Sequence, residues 1–185
     1  MIQPVKQNQI KECVEVIKES FLTVANEFGL TEENAPRFTA FATTEQRLSW
    51  HLNHENRPMY AFVENGNIVG YYSLALQENQ ECELNNLCVI PHYRHQGIGE
   101  KLLFHSFDVA KSLGCSKMKI GFVEENQTLK TWYAWLTEDG LFTNSGYGDG
   151  LYEVFAALDS DKRAYAFEIS YIEYFDDQVQ CKFIK

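Results

Sequence analysis

Residues 87–99 read Leu87-Cys88-Val89-Ile90-Pro91-His92-Tyr93-Arg94-His95-Gln96-Gly97-Ile98-Gly99. The pattern predicts an apolar strand, then a short polar turn that opens directly into a helix with glycine at positions 97 and 99. The first turn of a helix carries unpaired backbone N–H groups at the positive end of the helix dipole. Because glycine has no side chain, a ligand can approach this backbone closely. The run therefore predicts a cradle for an anion such as a pyrophosphate.

Two other phosphate-binding motifs do not fit this run. A P-loop ends in Gly-Lys-Ser or Gly-Lys-Thr, whereas Gly99 is followed by Glu100-Lys101. A dinucleotide-binding fingerprint needs a third glycine, and Leu102 occupies that position. The remaining alternative is an ordinary strand-to-helix turn that binds no ligand.

The hydrophobic pattern predicts strands and helices in the order β-α-α-β-β-β-α-β-α. Asn65-Gly66, a dipeptide typical of a β-hairpin, lies between two apolar runs. A strand, a helix and another strand then follow one another, which indicates a parallel pair in a mixed sheet. The predicted strands are residues 1–5, 59–63, 68–76, 82–89 and 117–122, and the predicted helices end at Gly29, near His54, at Leu113 and at Leu136. Residues 29–42 are predicted as a loop or broken helix around Pro36.

The composition narrows the class of protein. The chain has 185 residues and a net charge of −10, so nucleic acid is not an expected partner. No apolar run approaches the ~20 residues of a membrane helix, so no membrane partner is expected either. The five cysteines include no CxxC pair, which favours reduced thiols and a cytoplasmic location. No metal site is predicted, since neither His51 with His54 nor His92 with His95 has an obvious third ligand.

The run, together with two residues downstream, resembles the GNAT (general control N-acetyltransferase) superfamily. The matching positions are Arg94-x-x-Gly97-x-Gly99, Leu87-Cys88-Val89 before them, and Asn126 and Tyr133 after them. The resemblance implies an α/β fold with a mixed, mostly antiparallel central sheet, flanking helices, and two strands splayed around a cofactor cleft. We expect one domain over residues 1–185, with a cofactor-binding core at about 58–142 and an atypical acidic C-terminal region at 143–185.

The resemblance also implies a site for acetyl-CoA between the strands at 82–89 and 117–122. The backbone of Leu87 and Val89 would pair with the pantetheine amides, and the N–H groups of the turn from Arg94 to Gly99 would hold the pyrophosphate. Asn126 would bind the cofactor arm near the thioester. The implied cofactor-binding set is Leu87, Cys88, Val89, Arg94, His95, Gln96, Gly97, Ile98, Gly99 and Asn126.

The same resemblance assigns catalysis to Glu83 and Tyr133. An alkyl amine with a pKa near ~10 must lose a proton before it attacks a thioester, and a strand carboxylate can take that proton directly or through water. Strand alternation puts Glu83 on one face with Asn85 and Leu87, so we expect it to point into the cleft. Tyr133 falls where the family often places the acid that protonates the leaving thiolate. A solvated carboxylate and a core aromatic side chain are the alternative interpretations of these two residues.

The expected function is transfer of an acetyl group from acetyl-CoA to a primary amine by direct attack, without a metal or a covalent enzyme intermediate. We expect a small-molecule or peptide amine as the acceptor, and the net charge favours a cationic one. A homodimer is compatible with the sequence. Two alternatives stay open: a catalytically weak acyl-CoA-binding sensor, and a protein-interaction module that docks a basic partner on its acidic C-terminal region.

Overall fold

The computed structural model describes residues 1–123, 125–136, 153–158 and 164–170. In chain order the elements are β1 (Ile2–Pro4), α1 (Ile10–Phe28), α2 (Thr39–Ala42), α3 (Glu45–Asn53), β2 (Met59–Glu64), β3 (Asn67–Leu76), β4 (Glu81–Val89), α4 (Ile98–Ser112), β5 (Lys117–Ile120), α5 (Gln127–Leu136), β6 (Glu153–Leu158) and β7 (Ala164–Ser170). The predicted order of elements is confirmed up to Leu136. Two details differ, because β5 ends at Ile120 rather than at Phe122 and the short helix α2 lies within the predicted loop.

The described strands form one sheet in the order β1 to β7. Every neighbouring pair is antiparallel except β4 and β5, which run parallel and are connected by α4. The sheet is therefore mixed and mostly antiparallel, as the sequence predicted. Of the acidic C-terminal region at 143–185, β6 and β7 are described; its other residues, and Gly140-Leu141-Phe142, lie outside the described ranges.

Hydrophobic clusters cover both faces of the sheet. On one face, Leu102 and Leu103 of α4 pack in a cluster with Leu84 of β4. On the other face, Ile17 of α1 and Leu48 of α3 pack in a second cluster with residues of β2 and β3. Full burial of one such side chain contributes about 1.5–3 kcal/mol to folding. The strands that border the predicted cleft are therefore held from both sides.

Gly70 of β3 sets how closely α4 approaches the sheet. A Cβ atom at this position would lie 2.8 Å from Leu102 Cδ1 and 3.1 Å from the backbone oxygen of Cys88. A packed interior has no room for contacts this short, so a larger residue would push α4 away from β3 and β4. Since α4 begins at the predicted anion cradle, Gly70 helps to fix the position of the cradle relative to β4.

Candidate active site

The two central parallel strands are paired along only part of their length. Residues 81–84 of β4 pair with residues 117–120 of β5, and within the described chain β4 then continues to Val89 without a partner on that side. On its other side β4 stays paired with β3 as far as Val89 opposite Gly70. Residues 85–89 therefore present an open strand edge, which agrees with the expectation of two splayed strands.

A β-bulge lies in this open part of β4. Tyr71 pairs with Cys88 and Ser73 pairs with Asn85, so Tyr72 alone faces two residues of β4, Asn86 and Leu87. Asn86 accommodates the extra residue by adopting a φ of 56°, in the left-handed region. Bulges of this kind redirect the side chains that follow them.

The bulge reverses the alternation of side chains along β4. Leu84 and Leu87 both pack against the cluster beneath α4, whereas Cys88 belongs to the cluster beneath α1. Glu83, one residue before Leu84, therefore lies on the face opposite to Leu87. The prediction that Glu83 shares a face with Leu87 is wrong, because it counted a regular alternation through Asn86.

The turn after β4 contains a run of unpaired backbone donors. Within the described residues, the N–H groups of residues 95–100 have no hydrogen-bond acceptor, and no side chain caps the start of α4. His95 and Gly97 both have positive φ, 60° and 74°, so the backbone curls into a concave nest of N–H groups. A Cβ atom at Gly97 would have no atom within 4 Å, so the space beside this residue is open within the described structure. This geometry fits a diphosphate.

The side chains of this turn contribute less than its backbone. His95 and Gln96 are exposed, and Gln96 Nε2 donates to the backbone oxygen of His92 over 3.2 Å. Ile98 is buried in the cluster beneath α4. These three predicted cofactor-binding residues can therefore serve the nest through their backbone N–H groups.

The Arg94 side chain points into the protein. Its Nε donates to the backbone oxygen of Val89 over 3.0 Å, and its Nη2 donates to the backbone oxygen of Ser20 and to Thr23 Oγ1, each over 3.0 Å. Ser20 and Thr23 lie on α1, far away in the sequence. The guanidinium thus connects β4, the turn and α1, and no local pattern in the sequence indicates these partners.

The open edge of β4 is already used in part by the protein itself. The N–H of Ile90 donates to Val69 on β3 over 3.0 Å, so the N–H and C=O of the preceding Val89 point to the open side. The carbonyl of Val89 accepts the hydrogen bond from Arg94 Nε. The N–H of Val89 is therefore better placed to pair with a pantetheine amide than its carbonyl, which already accepts a hydrogen bond.

Trp132 of α5 lies over the start of α4, and the sequence analysis did not single it out as a site residue. A Cβ atom at Gly99 would lie 3.6 Å from Trp132 Cζ2 and 3.9 Å from Val89 Cγ2. Trp132 is half-buried, so part of the residue remains exposed. Gly99 leaves room for the indole ring, and Trp132 becomes a candidate wall of the cofactor cleft.

Asn126 caps the N-terminus of α5. Its Oδ1 accepts a hydrogen bond from the N–H of Leu129 over 2.9 Å, a typical use of Asn before a helix. Within the described chain its Nδ2 has no acceptor, so the amide can still donate to a ligand. The capping preference of Asn could have been recognised in the sequence.

Tyr133 is a core residue whose ring stacks on Phe122, with 5.7 Å between the ring centroids. It is 7% exposed, and burial raises its pKa above the ordinary value for a tyrosine. A tyrosine hydroxyl is protonated at neutral pH even at its ordinary pKa near ~10, so this rise does not change its protonation state there. The structure confirms that Tyr133 is a core aromatic residue, and its role as the acid stays a prediction.

Glu83 and Tyr133 lie on opposite faces of the sheet. Tyr133 belongs to the cluster beneath α4, whereas Glu83 lies on the other face, where its Oε2 accepts a long hydrogen bond of 3.5 Å from Gln77 Nε2. Lys119 of β5 is the Cα partner of Glu83, and its Nζ lies 3.3 Å from Glu81 Oε2. The two faces are connected where β4 and β5 separate, just beyond Leu84 and Ile120.

Cys88 contributes no reactive side chain to the open edge. Its thiol is buried beneath α1, and this burial raises its pKa to about 12. A thiol that stays protonated is a weak nucleophile. The backbone N–H and C=O of Cys88 point toward β3, on the opposite side from those of Val89, so they do not face the open edge either.

Other candidate sites are few in the described ranges. They contain no group of three or more His, Cys, Asp or Glu residues that could hold a metal ion. No described helix combines the length and apolar character needed to cross a membrane. A cavity of about 270 Å³ beside β1 and β2 is lined by none of the predicted site residues.

Sequence comparisons identify relatives of the chain. The family model for the acetyltransferase (GNAT) family matches residues 23–136. An uncharacterized N-acetyltransferase of Mycobacterium bovis is 24% identical over 106 residues, which are 57% of this chain and 68% of that protein. The thialysine N-epsilon-acetyltransferase of Mus musculus is 27% identical over 77 residues, which are 42% of this chain and 45% of that protein.

Solved structures of low sequence identity share the fold. The PaiA N-acetyltransferase of Thermoplasma acidophilum, in complex with coenzyme A, has a TM-score of 0.67 at 17% identity and covers 82% of this chain and 94% of that chain. The ribosomal-protein-S18-alanine N-acetyltransferase of Escherichia coli has a TM-score of 0.59 at 15% identity and covers 89% and 87%. The chain therefore belongs to the GNAT acetyltransferase family and is an acetyl-transferring enzyme with acetyl-CoA as its co-substrate.

Proposed function

We propose that this enzyme transfers the acetyl group of acetyl-CoA directly to a primary amine, with Glu83 as the base and Tyr133 as the acid. The observation that carries the proposal is the continuous path from the open edge of β4 to the nest of N–H groups at residues 95–100. An extended ligand with amides at one end and a diphosphate at the other matches this path. The N-acetyltransferase activities named for the relatives in Mycobacterium bovis and Mus musculus support an amine acceptor.

The chain's own residues account for holding the co-substrate. The backbone of Leu87 and the N–H of Val89 would pair with the pantetheine arm, and Trp132 would cover it from the side of α5. The nest would bind the diphosphate, aided by the dipole of α4. Acetyl-CoA supplies the activated acetyl group, and the protein's remaining task is to handle two protons.

The positions of Glu83 and Tyr133 on opposite faces of the sheet suggest which proton each residue would transfer. Glu83 lies on the face away from the core under α4, and a carboxylate there would take the proton of the incoming amine, directly or through water. Tyr133, whose phenol is protonated at neutral pH, would donate to the sulfur that leaves from the other face. The gap between β4 and β5 would let both act on one thioester.

The acceptor is proposed to be a cation. The net charge of −10 attracts cationic molecules over long distances, and this attraction is weakened by salt. We expect kcat/KM for the best amine to fall as ionic strength rises from low to physiological values. A best acceptor that is neutral or anionic, with no dependence on salt, would remove the cationic acceptor from the proposal.

The test measures release of free CoA by chromatography over a panel of amines, for the wild type and for Glu83→Gln. Removal of a general base typically lowers the rate about 10²–10⁴-fold. The loss should lie in kcat, and it should shrink as pH rises toward the pKa of the amine. Binding of CoA by the wild type without any turnover would instead identify an acyl-CoA sensor.

Glu81→Gln is the matched control. Glu81 lies on the same face of β4, two positions before Glu83, and forms the ion pair with Lys119. The control removes the same charge from the same face but leaves the proposed proton acceptor in place, so we expect less than about a threefold change in kcat. Equal losses of kcat in both variants would mean that the negative charge of this face as a whole affects the rate and that Glu83 is not the base.

A further inference from the structure

The hydrogen bonds of Arg94 do not fit the role of a phosphate ligand. A guanidinium has five N–H donors, one on Nε and two on each Nη atom. Nε donates to Val89, and Nη2 donates to both Ser20 and Thr23, so these two nitrogens have no hydrogen left. Bidentate binding of a phosphate needs Nη2 together with Nε or with Nη1. Arg94 therefore cannot grip a diphosphate in that way while it keeps its partners.

The acceptors of Arg94 come from two parts of the fold. Val89 is the last residue of β4, and Ser20 and Thr23 belong to the C-terminal half of α1. Thr23 Oγ1 also donates to the backbone oxygen of Ser20 over 2.7 Å, so the hydroxyl has a fixed orientation. Within the described residues Arg94 forms no ion pair, and all its acceptors are neutral oxygens.

The next residue in the chain explains why such an anchor is useful. His95, the first residue of the nest, has a φ of 60°. Residues other than glycine rarely adopt this backbone conformation. An unusual conformation persists only where neighbouring contacts enforce it. The bonds of Arg94 hold the residue just before His95 against α1 and β4.

We propose that Arg94 is a positioning residue, which holds the N–H nest in shape by tying it to Thr23 and Ser20 of α1. This inference rests on the proposed binding of the diphosphate in the nest. It makes Thr23, a residue of α1, a determinant of the affinity for acetyl-CoA.

Thr23→Val tests the inference because it removes the hydroxyl and preserves the shape and charge of the side chain. We expect KM for acetyl-CoA to rise about three- to tenfold, with kcat within about twofold of the wild type. The acetyl thioester of N-acetylcysteamine, whose amine is blocked and which lacks the diphosphate, should be used with an unchanged KM. Arg94→Lys should raise KM for acetyl-CoA at least as much, and adding Thr23→Val to it should cause no further rise.

Thr31→Val is the matched control. Thr31 Oγ1 accepts a hydrogen bond from the N–H of Asn34 over 3.2 Å in the loop after α1, apart from Arg94. The control loses one hydroxyl and one local hydrogen bond, so KM for acetyl-CoA should not change.

The outcomes separate this inference from the proposed function. An unchanged KM for acetyl-CoA in Thr23→Val, with an increase in Arg94→Lys, would show that Arg94 contacts the ligand directly and would overturn the inference. An equal rise in KM for the N-acetylcysteamine thioester would show a general distortion and would also overturn it. A wild type that neither binds CoA nor releases it from acetyl-CoA would overturn the proposed function, and this inference with it.

Discussion

A negative charge placed in the nest should block the co-substrate. Gly97→Glu puts a carboxylate at the start of α4, among the N–H groups proposed to bind the diphosphate. At about 5 Å, and with an effective dielectric constant between about 20 and 80, two charges repel by about 1–3 kcal/mol. We therefore expect Kd for CoA to rise about 5- to 150-fold for each phosphate charge that lies this close.

Gly114→Glu is a matched control at the other end of the same helix. Gly114 and Gly97 both have a positive φ, 81° and 74°, and both would place a Cβ atom in open space. Each substitution should therefore cost about 1–2 kcal/mol of folding free energy, or about 2–8 °C in Tm. The control also puts its carboxylate at the negative end of the helix dipole, so it should be at least as unstable as Gly97→Glu.

Distance separates the effects of the two substitutions on binding. The helix from Ile98 to Ser112 has 15 residues and is about 22 Å long, whereas charges are screened over about 8 Å at physiological salt. Isothermal titration with CoA, below the Tm of both variants, should show a selective loss in Gly97→Glu. Equal affinities in the two variants would refute the assignment of the nest as the diphosphate site.

Three further predictions concern individual side chains. Tyr133→Phe should lower kcat about 10²-fold or more and change the Tm little, whereas a purely structural tyrosine would leave kcat unchanged in steady-state assays. Burial lowers the pKa of His105 more than Asp108 raises it, so the free energy of unfolding should fall as pH drops below about 6.5, the pKa of histidine in the unfolded chain. Denaturant titrations of His105→Gln should show a weaker dependence of this free energy on pH. Cys115 is partly exposed, and peptide mapping after brief alkylation should find it labelled well before Cys13, whose pKa burial raises to about 12.

Local patterns were sufficient to predict most of the fold. The hydrophobic period changes between helices and strands, and the Asn65-Gly66 turn and the glycines of the nest mark where elements begin and end. These signals arise from contacts between residues close in sequence, so they can be recognised without coordinates. The parallel pairing of β4 and β5 followed as well, since a helix of this length connects parallel neighbours.

The details of the site depended on contacts that no local pattern encodes. The bulge at Asn86 results from the register of β4 against β3, and it moved Glu83 to the face opposite Leu87. Trp132 reaches Gly99 only because α5 folds back over α4.

Arg94 is the clearest example of a residue whose contacts no local sequence pattern encodes. The sequence by itself determined that an arginine stands before the anion cradle, because the motif is continuous along the chain. Only the tertiary structure decided what that arginine does, because its α1 acceptors lie 74 and 71 residues away in the sequence. Hydrogen bonds over such separations form only when the sheet and its covering helix have already brought the two segments together.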